Sequence, residues 1–284
     1  MKLFTLFLLL SLVVRTGFCG NKISESGIIN SRDSVTLTNI IGRFSGERNK
    51  PTGELVAAIG KAFLGTPYVA HTLENGKDEN LVVNLGELDC TTFAENCLAL
   101  ALTIKSGHPE VSEFTGNLER IRYRNGKRDG YLSRLHYFSD WIDNNEQKGL
   151  VIQPANDFGS PFNVKVSFMS AHPDSYEVLK KNPELVPLMA DMEKAVSDRK
   201  YYFLKKEDIE RKEDQLQEGD IAGIATSVPG LDITHVGILV RKDGRIHLMH
   251  ASSSLGKVVI SDVPLSEMLM NKKSYTGIMI ARPR

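Results

Sequence analysis

Apolar positions along this chain change their spacing on the way to the C-terminus. In the first part they recur at helical intervals. Leu55, Val56, Ile59 and Phe63 form one face of "TGELVAAIGKAFLG", with Thr52 as the expected cap and Gly65 as the stop. A second helix is predicted from Cys90, because Phe93, Ala94, Cys97 and Ala101 follow it at offsets of 3, 4, 7 and 11. "PELVPLMADMEKAVSDRK" predicts a third. Toward the C-terminus the pattern shortens to β-rich runs: "DIAGIAT", "HVGILV", "RIHLMHA", "KVVISDV" and "TGIMIARP". Lys242-Asp243-Gly244 is a hairpin turn between two of them. Helices first and strands afterwards predict an α+β fold, with helices packed on one side of an antiparallel sheet. Two smaller strands are also expected. One is "SVTLTNII", inside a polar lead-in covering residues 21–50. The other is Leu81–Leu85, between turn signals at Asn75-Gly76 and Gly86. Residues 105–205 are more polar, hold several helical patterns, and contain the aromatic cluster "RLHYFSDW" from Arg134 to Trp141.

The extreme N-terminus stands apart. Residues 1–20, "MKLFTLFLLLSLVVRTGFCG", place Lys2 before an apolar run and small residues after it. The run is too short to span a bilayer, so it reads as a secretory signal peptide. Phe18 before Cys19 argues against a lipid anchor there. Without Lys2 and Arg15, the remaining 33 of 35 basic residues still balance the 35 acidic ones. No basic excess points to nucleic acid. Removal of the leader leaves two cysteines, Cys90 and Cys97. On one helix their Cα atoms would stand about 10.5 Å apart, beyond the roughly 7 Å limit of a disulfide. An exported chain with two free thiols invites a chemical role for one of them.

Cys90 is the better placed of the two. A helix N-terminus has N–H groups without intrahelical partners and a positive dipole end, which favour thiolate and lower its pKa. Cys97, two turns inside an apolar helix, suits packing. A nucleophilic cysteine needs a base, and the base needs an orienting partner. Of the seven histidines, His235 opens one strand, and His247 and His250 lie on the next. A hairpin at Asp243-Gly244 brings the start of the first strand beside the end of the second. Alternation puts His247 and His250 on opposite faces, so only one can meet His235. A Cys–His–His constellation of this kind suits amide hydrolysis by acyl transfer to water, with the Cys90 N–H as a donor to the oxyanion. Asp89 either caps the helix of Cys90 or holds a substrate amine, and capping is the safer reading.

Five blocks occur in order: "GTPYV" (65–69), "LDCTTF" (88–93), "EGDIAGI" (218–224), "THVGILV" (234–240) and "HAS" (250–252). Together they resemble the NlpC/P60 superfamily of papain-like cell-wall peptidases and amidases. The resemblance implies a papain-like domain over residues 51–284, helices on an antiparallel sheet or small barrel. It implies Cys90 as nucleophile and His235 as base, and it selects His250 over His247 as the third polar residue. It also places the Tyr68 hydroxyl near the nucleophile. The chain departs from the common pattern at Thr91-Thr92, where Ser-Gly is usual, and in a large, mostly helical insertion at about 105–205. Those departures resemble the DUF1460 branch, associated with N-acetylmuramoyl-L-alanine amidase activity on small anhydromuropeptides in peptidoglycan recycling.

That resemblance implies a muropeptide or anhydromuropeptide partner, a periplasmic location, a monomer, no cofactor, and no stable membrane association beyond the leader. Arg134, His136, Tyr137 and Trp141 are candidates to line a sugar-binding surface, with Thr234 directly before the proposed base as a further contact. Two other functions remain open at this point. One is the D-glutamyl–diamino acid endopeptidase activity of the same superfamily. The other is a zinc site built from Cys90, His235 and His250, for which no C-x-x-C or H-E-x-x-H pair and no fourth ligand is evident.

Overall fold

The computed structural model describes residues 29–74 and 79–284. The expected leader, Cys19 and the Asn75-Gly76 turn lie outside the described residues. Eight strands build one open sheet: β1 (Val151–Ile152), β2 (Ser160–Phe162), β3 (Tyr201–Lys205), β4 (Ile221–Thr226), β5 (Ile233–Lys242), β6 (Arg245–Ser252), β7 (Lys257–Ile260) and β8 (Tyr275–Pro283). Their order is β2-β3-β8-β4-β5-β6-β7, with β1 added to β8, and every pairing is antiparallel. β4 is buried at all six positions, which is why it reads as an unbroken apolar run. The β5–β6 hairpin turns at Asp243 (φ 52°) and Gly244 (φ 82°), the left-handed pair that a two-residue loop demands.

Five helices matter for the site: α1 (Ser31–Phe44), α2 (Thr52–Ala62), α3 (Cys90–Ser106), α4 (Val111–Arg122) and α5 (Phe138–Gln147). α3 packs against α2, α4, β5 and β6. It is therefore buried nearly all round from Thr92 to Ala101, and not on a single stripe. Gly107 (φ 78°) ends it in the left-handed conformation. α2 packs on β6 at Gly60, where a Cβ would stand 2.3 Å from the Met249 methyl, so a larger residue there would require the methionine side chain to shift.

Three sequence expectations are corrected. "SVTLTNII" belongs to α1, not to a strand. Leu37, Ile40 and Phe44 are buried at helical spacing, and the Asn30 side chain caps Asp33 N–H. β-branched content misled, because packing overrides local preference. Leu81–Leu85 forms no strand. Its polar backbone is satisfied by side chains instead: Asp33 accepts from Leu85 N–H, Asn84 accepts from Gly86 and Glu87 N–H, and Arg122 donates to Val82 O. Thr52 is not a cap. It is the first residue of α2, and its hydroxyl donates to Arg284 O at 2.7 Å.

Residues 105–205 contain α4, α5 and the helix Leu185–Ser197, and they also contribute β1, β2 and β3 to the sheet. Asp232, just before β5, accepts from Ser139 N–H at 2.7 Å. A carboxylate ninety-three residues away in sequence thus serves the N-terminus of α5, where a negative group is favoured. This contact ties the strand of His235 to the helix that carries the aromatic cluster.

Candidate active site

Cys90 is the first residue of α3, and Asp89 is its cap. Thr92 N–H donates to Asp89 Oδ1 at 2.7 Å, and Asp89 N–H donates to Thr92 Oγ1 at 2.9 Å. This reciprocal box explains a threonine at position 92. It also shows the Asp89 carboxylate acting as a cap through Oδ1. Cys90 is half-buried and Cys97 is fully buried at 0% exposure; both are free thiols. The Cys90 thiol is pushed up from its ordinary value by burial first and by the Asp89 charge second. Three neighbours work the other way: the Val236 N–H, the Thr91 hydroxyl and its own N–H. The helix-end argument predicts a lowered pKa, and the direction found is the opposite. Desolvation and the capping carboxylate outweigh the three donors.

The Val236 N–H that favours the thiolate belongs to the residue after His235. His235 Nε2 lies 2.7 Å from His250 Nδ1, with the two rings nearly perpendicular at 88°. β5 and β6 are paired from Lys242↔Arg245 up to Ile238↔Met249. His250 follows the last of those pairs. His247 stands opposite Val240 and is turned inward, with Nδ1 on Ser261 O at 2.8 Å. Burial, then His250 and Lys272, lower the His235 pKa to about 3, and burial lowers that of His250 to about 4. Both rings are neutral near pH 7. One of the two bonded nitrogens therefore carries the proton and the other accepts it.

Tyr68 is held beside the start of α3 by its backbone. Leu88 N–H donates to Pro67 O, Val69 N–H to Leu88 O, and Tyr68 N–H to Gly256 O. Its phenol is pushed up by burial, then by the charges of Cys90 and Asp89, so its hydroxyl lies in their field. Thr234 is exposed on β5.

A cavity of about 170 Å³ opens between Thr91 and Ala94 of α3 and Val236 of β5, and its far wall carries His136, Tyr137 and Trp141. The aromatic cluster thus adjoins the residues that flank Cys90 and His235. Its members are also packed. Trp141 is 3% exposed, stacks on Phe138 at 5.4 Å, and donates from Nε1 to Glu95 at 3.2 Å. Tyr137 donates to Glu193 at 2.6 Å. Arg134 does not line this cavity. Its guanidinium is taken by Glu74 at 2.7 Å and Glu79 at 3.3 Å, and lies over the Tyr131 ring. The expected fork of free donors is therefore absent at position 134, because two acids neutralise it.

Sequence reasoning passed over Glu95 and Asp232, both in the cavity wall. Glu95 pairs with Arg122 at 2.7 Å, fully buried. Its signal was a carboxylate in the middle of an apolar helix, which requires a partner. Asp232 had no local signal, since its partner is an N–H ninety-three residues earlier. Among the described residues no three His, Cys, Asp or Glu side chains are grouped so as to hold a metal ion.

Comparison with solved structures gives close relatives. An N-acetylmuramoyl-L-alanine amidase from Bacteroides uniformis is 41% identical, with a TM-score of 0.78 over 82% of this chain and 99% of that one. A protein from Bacteroides fragilis named as a putative xylanase is 44% identical, with a TM-score of 0.75 over 78% of this chain and 98% of that one. A DUF1460 protein from Legionella pneumophila shares the fold at 20% identity, with a TM-score of 0.66 over 88% of this chain and 95% of that one. Among curated proteins none matches. The model of the AmiA-like, N-acetylmuramoyl-L-alanine amidase-like family matches residues 58–278. The chain belongs to that family.

Proposed function

We propose that this protein is a cysteine-dependent hydrolase, built on a papain-like NlpC/P60 domain, that cuts the amide between (anhydro)N-acetylmuramic acid and L-alanine. The observation that supports this most is the His235–His250 hydrogen bond on the strand whose Val236 N–H meets the Cys90 thiol. With His235 Nε2–H donating to His250 Nδ1, His235 Nδ1 is left as the base. Cys90 Sγ gives its proton to Nδ1 and attacks the lactyl carbonyl carbon. The Cys90 N–H, at the start of α3, donates to the oxyanion. Collapse expels the alanine amine, which takes the proton from His235. Water, deprotonated by His235, then opens the thioester, and the proton passes from His235 to the departing Cys90 sulfur as the sugar acid is freed. Since thiol and imidazole are both neutral at rest, proton transfer accompanies attack and no preformed ion pair is needed.

The carboxylates at the cavity speak against the xylanase name of the B. fragilis relative as a guide to this chain. Glycosidases use one acid and one base or nucleophile, free to act. Here Glu95 is bound to Arg122 and Trp141, and Asp232 to two backbone N–H groups. In this reading the protein acts as a monomer in the periplasm on recycled wall fragments. Mass spectrometry of products from anhydromuramoyl-tripeptide tests it. Release of an alanine-headed peptide from the sugar supports the amidase, cleavage after D-glutamate supports the endopeptidase, and loss of activity to chelator but not to iodoacetamide overturns both.

A further inference from the structure

The cavity beside Cys90 contains one polar side chain whose hydrogen-bonding state the chain itself fixes. His136 lines that cavity, and its Nε2 lies 2.9 Å from the Tyr131 carbonyl oxygen. A carbonyl oxygen only accepts, so Nε2 carries the ring proton. Burial first, and the Arg134 charge second, lower the ring's pKa to about 3. A neutral ring protonated at Nε2 keeps a lone pair on Nδ1. The Tyr131 ring, with its centroid 4.5 Å away, packs against the imidazole.

Besides His136, the wall carries the Tyr176 and Thr91 hydroxyls and three polar groups that are already engaged. Glu95 holds Arg122 and Trp141, Asp232 holds two N–H groups, and Tyr137 gives its proton to Glu193. The surface beside His136 is apolar, dominated by the stacked Phe138 and Trp141 rings with Leu135 and Met169. An imidazole acceptor with no proton to give, next to an apolar aromatic wall, is a specific combination. It fits a secondary amide that carries a methyl group. A hydroxyl would satisfy the acceptor and leave the aromatic wall uncovered.

We propose that His136 sets specificity, with Nδ1 accepting from the N–H of a 2-acetamido group whose methyl packs on the Phe138–Trp141 face. This rests on the amidase reading for the presence of an amino-sugar acid. The site then rejects sugars that lack the N–H, because the bound ligand would cover the acceptor and leave it unpaired.

Binding of two non-hydrolysed ligands tests it without using Cys90. One is N-acetylmuramic acid. The other is its analogue with an acetoxy group in place of the acetamido group, which keeps the methyl and loses the N–H. Trp141 is the only tryptophan, so its fluorescence reports occupation. The protein is expected to bind the acetamido ligand at least about tenfold more tightly. His136→Phe is expected to bring the ratio below about twofold, and His136→Gln, which offers a carboxamide oxygen, to restore part of it. Equal affinities in the unsubstituted protein, a ratio that survives in His136→Phe, or no binding of either ligand overturns the inference. If His136→Phe fails to fold, the ratio in the unsubstituted protein and in His136→Gln decides. Turnover is scored separately. A lost ratio with amidase activity intact sinks only this inference, whereas an intact ratio without amidase activity sinks only the proposed function.

Discussion

The first and third turns of α3 carry the same side chain in two different settings. Cys90 sits at a capped end, half-buried, with an N–H from β5 at its sulfur. Cys97 sits two turns further in, fully enclosed among apolar side chains, and burial alone raises its thiol well above the ordinary value. Seven residues thus separate a thiol with donors around it from one with none. What distinguishes them is the neighbouring strand, not the cysteine.

Substitution at the two positions is the sharpest way to break that contrast. Cys90→Ser is expected to lower kcat by at least about 10³-fold, since a neutral hydroxyl cannot replace the sulfur as nucleophile here. Its melting temperature should stay within a few degrees of the parent. Full activity in a steady-state assay of Cys90→Ser would remove the proposed nucleophile. The strand histidines give a second contrast. His250→Ala is expected to lower kcat by about 10²-fold, because His235 loses the bond that sets its tautomer. His247→Ala, whose ring serves only the Ser261 carbonyl, should lose stability and keep kcat. Equal kcat losses in the two variants would contradict this division.

Protonation separates the same regions at a smaller scale. The fold holds His235 and His136 neutral down to about pH 3 and His250 down to about pH 4. In the unfolded chain these groups protonate near pH 6.5. Unfolding therefore takes up protons below that value, so stability is full above about pH 7 and falls as the pH drops toward 4. Thermal melts at pH 7.5 and pH 5 read this directly. A melting temperature that rises on acidification would mean that the imidazoles are not held neutral.

Much of the C-terminal half was legible because its signals are local. β4 to β8 each announce themselves as short apolar runs, and Asp243-Gly244 fixes the hairpin that sets His250 near His235. The start of α3 was legible too, from the stripe and from Asp89. The α1 segment was not, because its β-branched residues argue for strand until Leu37, Ile40 and Phe44 find a core to face. The cavity wall was only half legible. His136, Tyr137 and Trp141 drew notice as an aromatic cluster, while Asp232 and Glu95 act through partners far away in sequence. Arg134 could either line the site or pair with an acid, and two glutamates distant in sequence take its charge.

The smallest effects test the two ends of α3 against each other. Cys97→Ala should cost on the order of 1 kcal/mol as a small core deletion and leave turnover unchanged. An inactive but folded Cys97→Ala would reverse the roles of the two thiols. Asp89→Ala should cost about 1 kcal/mol as a lost cap, and here stability and reactivity are expected to part company. The Asp89 carboxylate holds the fold by accepting from Thr92 N–H, and the same charge helps keep the Cys90 proton on sulfur. Removing it weakens the helix end and lowers the thiol pKa together. Iodoacetamide should then alkylate Asp89→Ala faster than the parent at pH 7.5, although the protein melts earlier. A slower reaction would mean that the cap aids the thiolate, and that the dipole of α3, not desolvation and the carboxylate, governs the first turn.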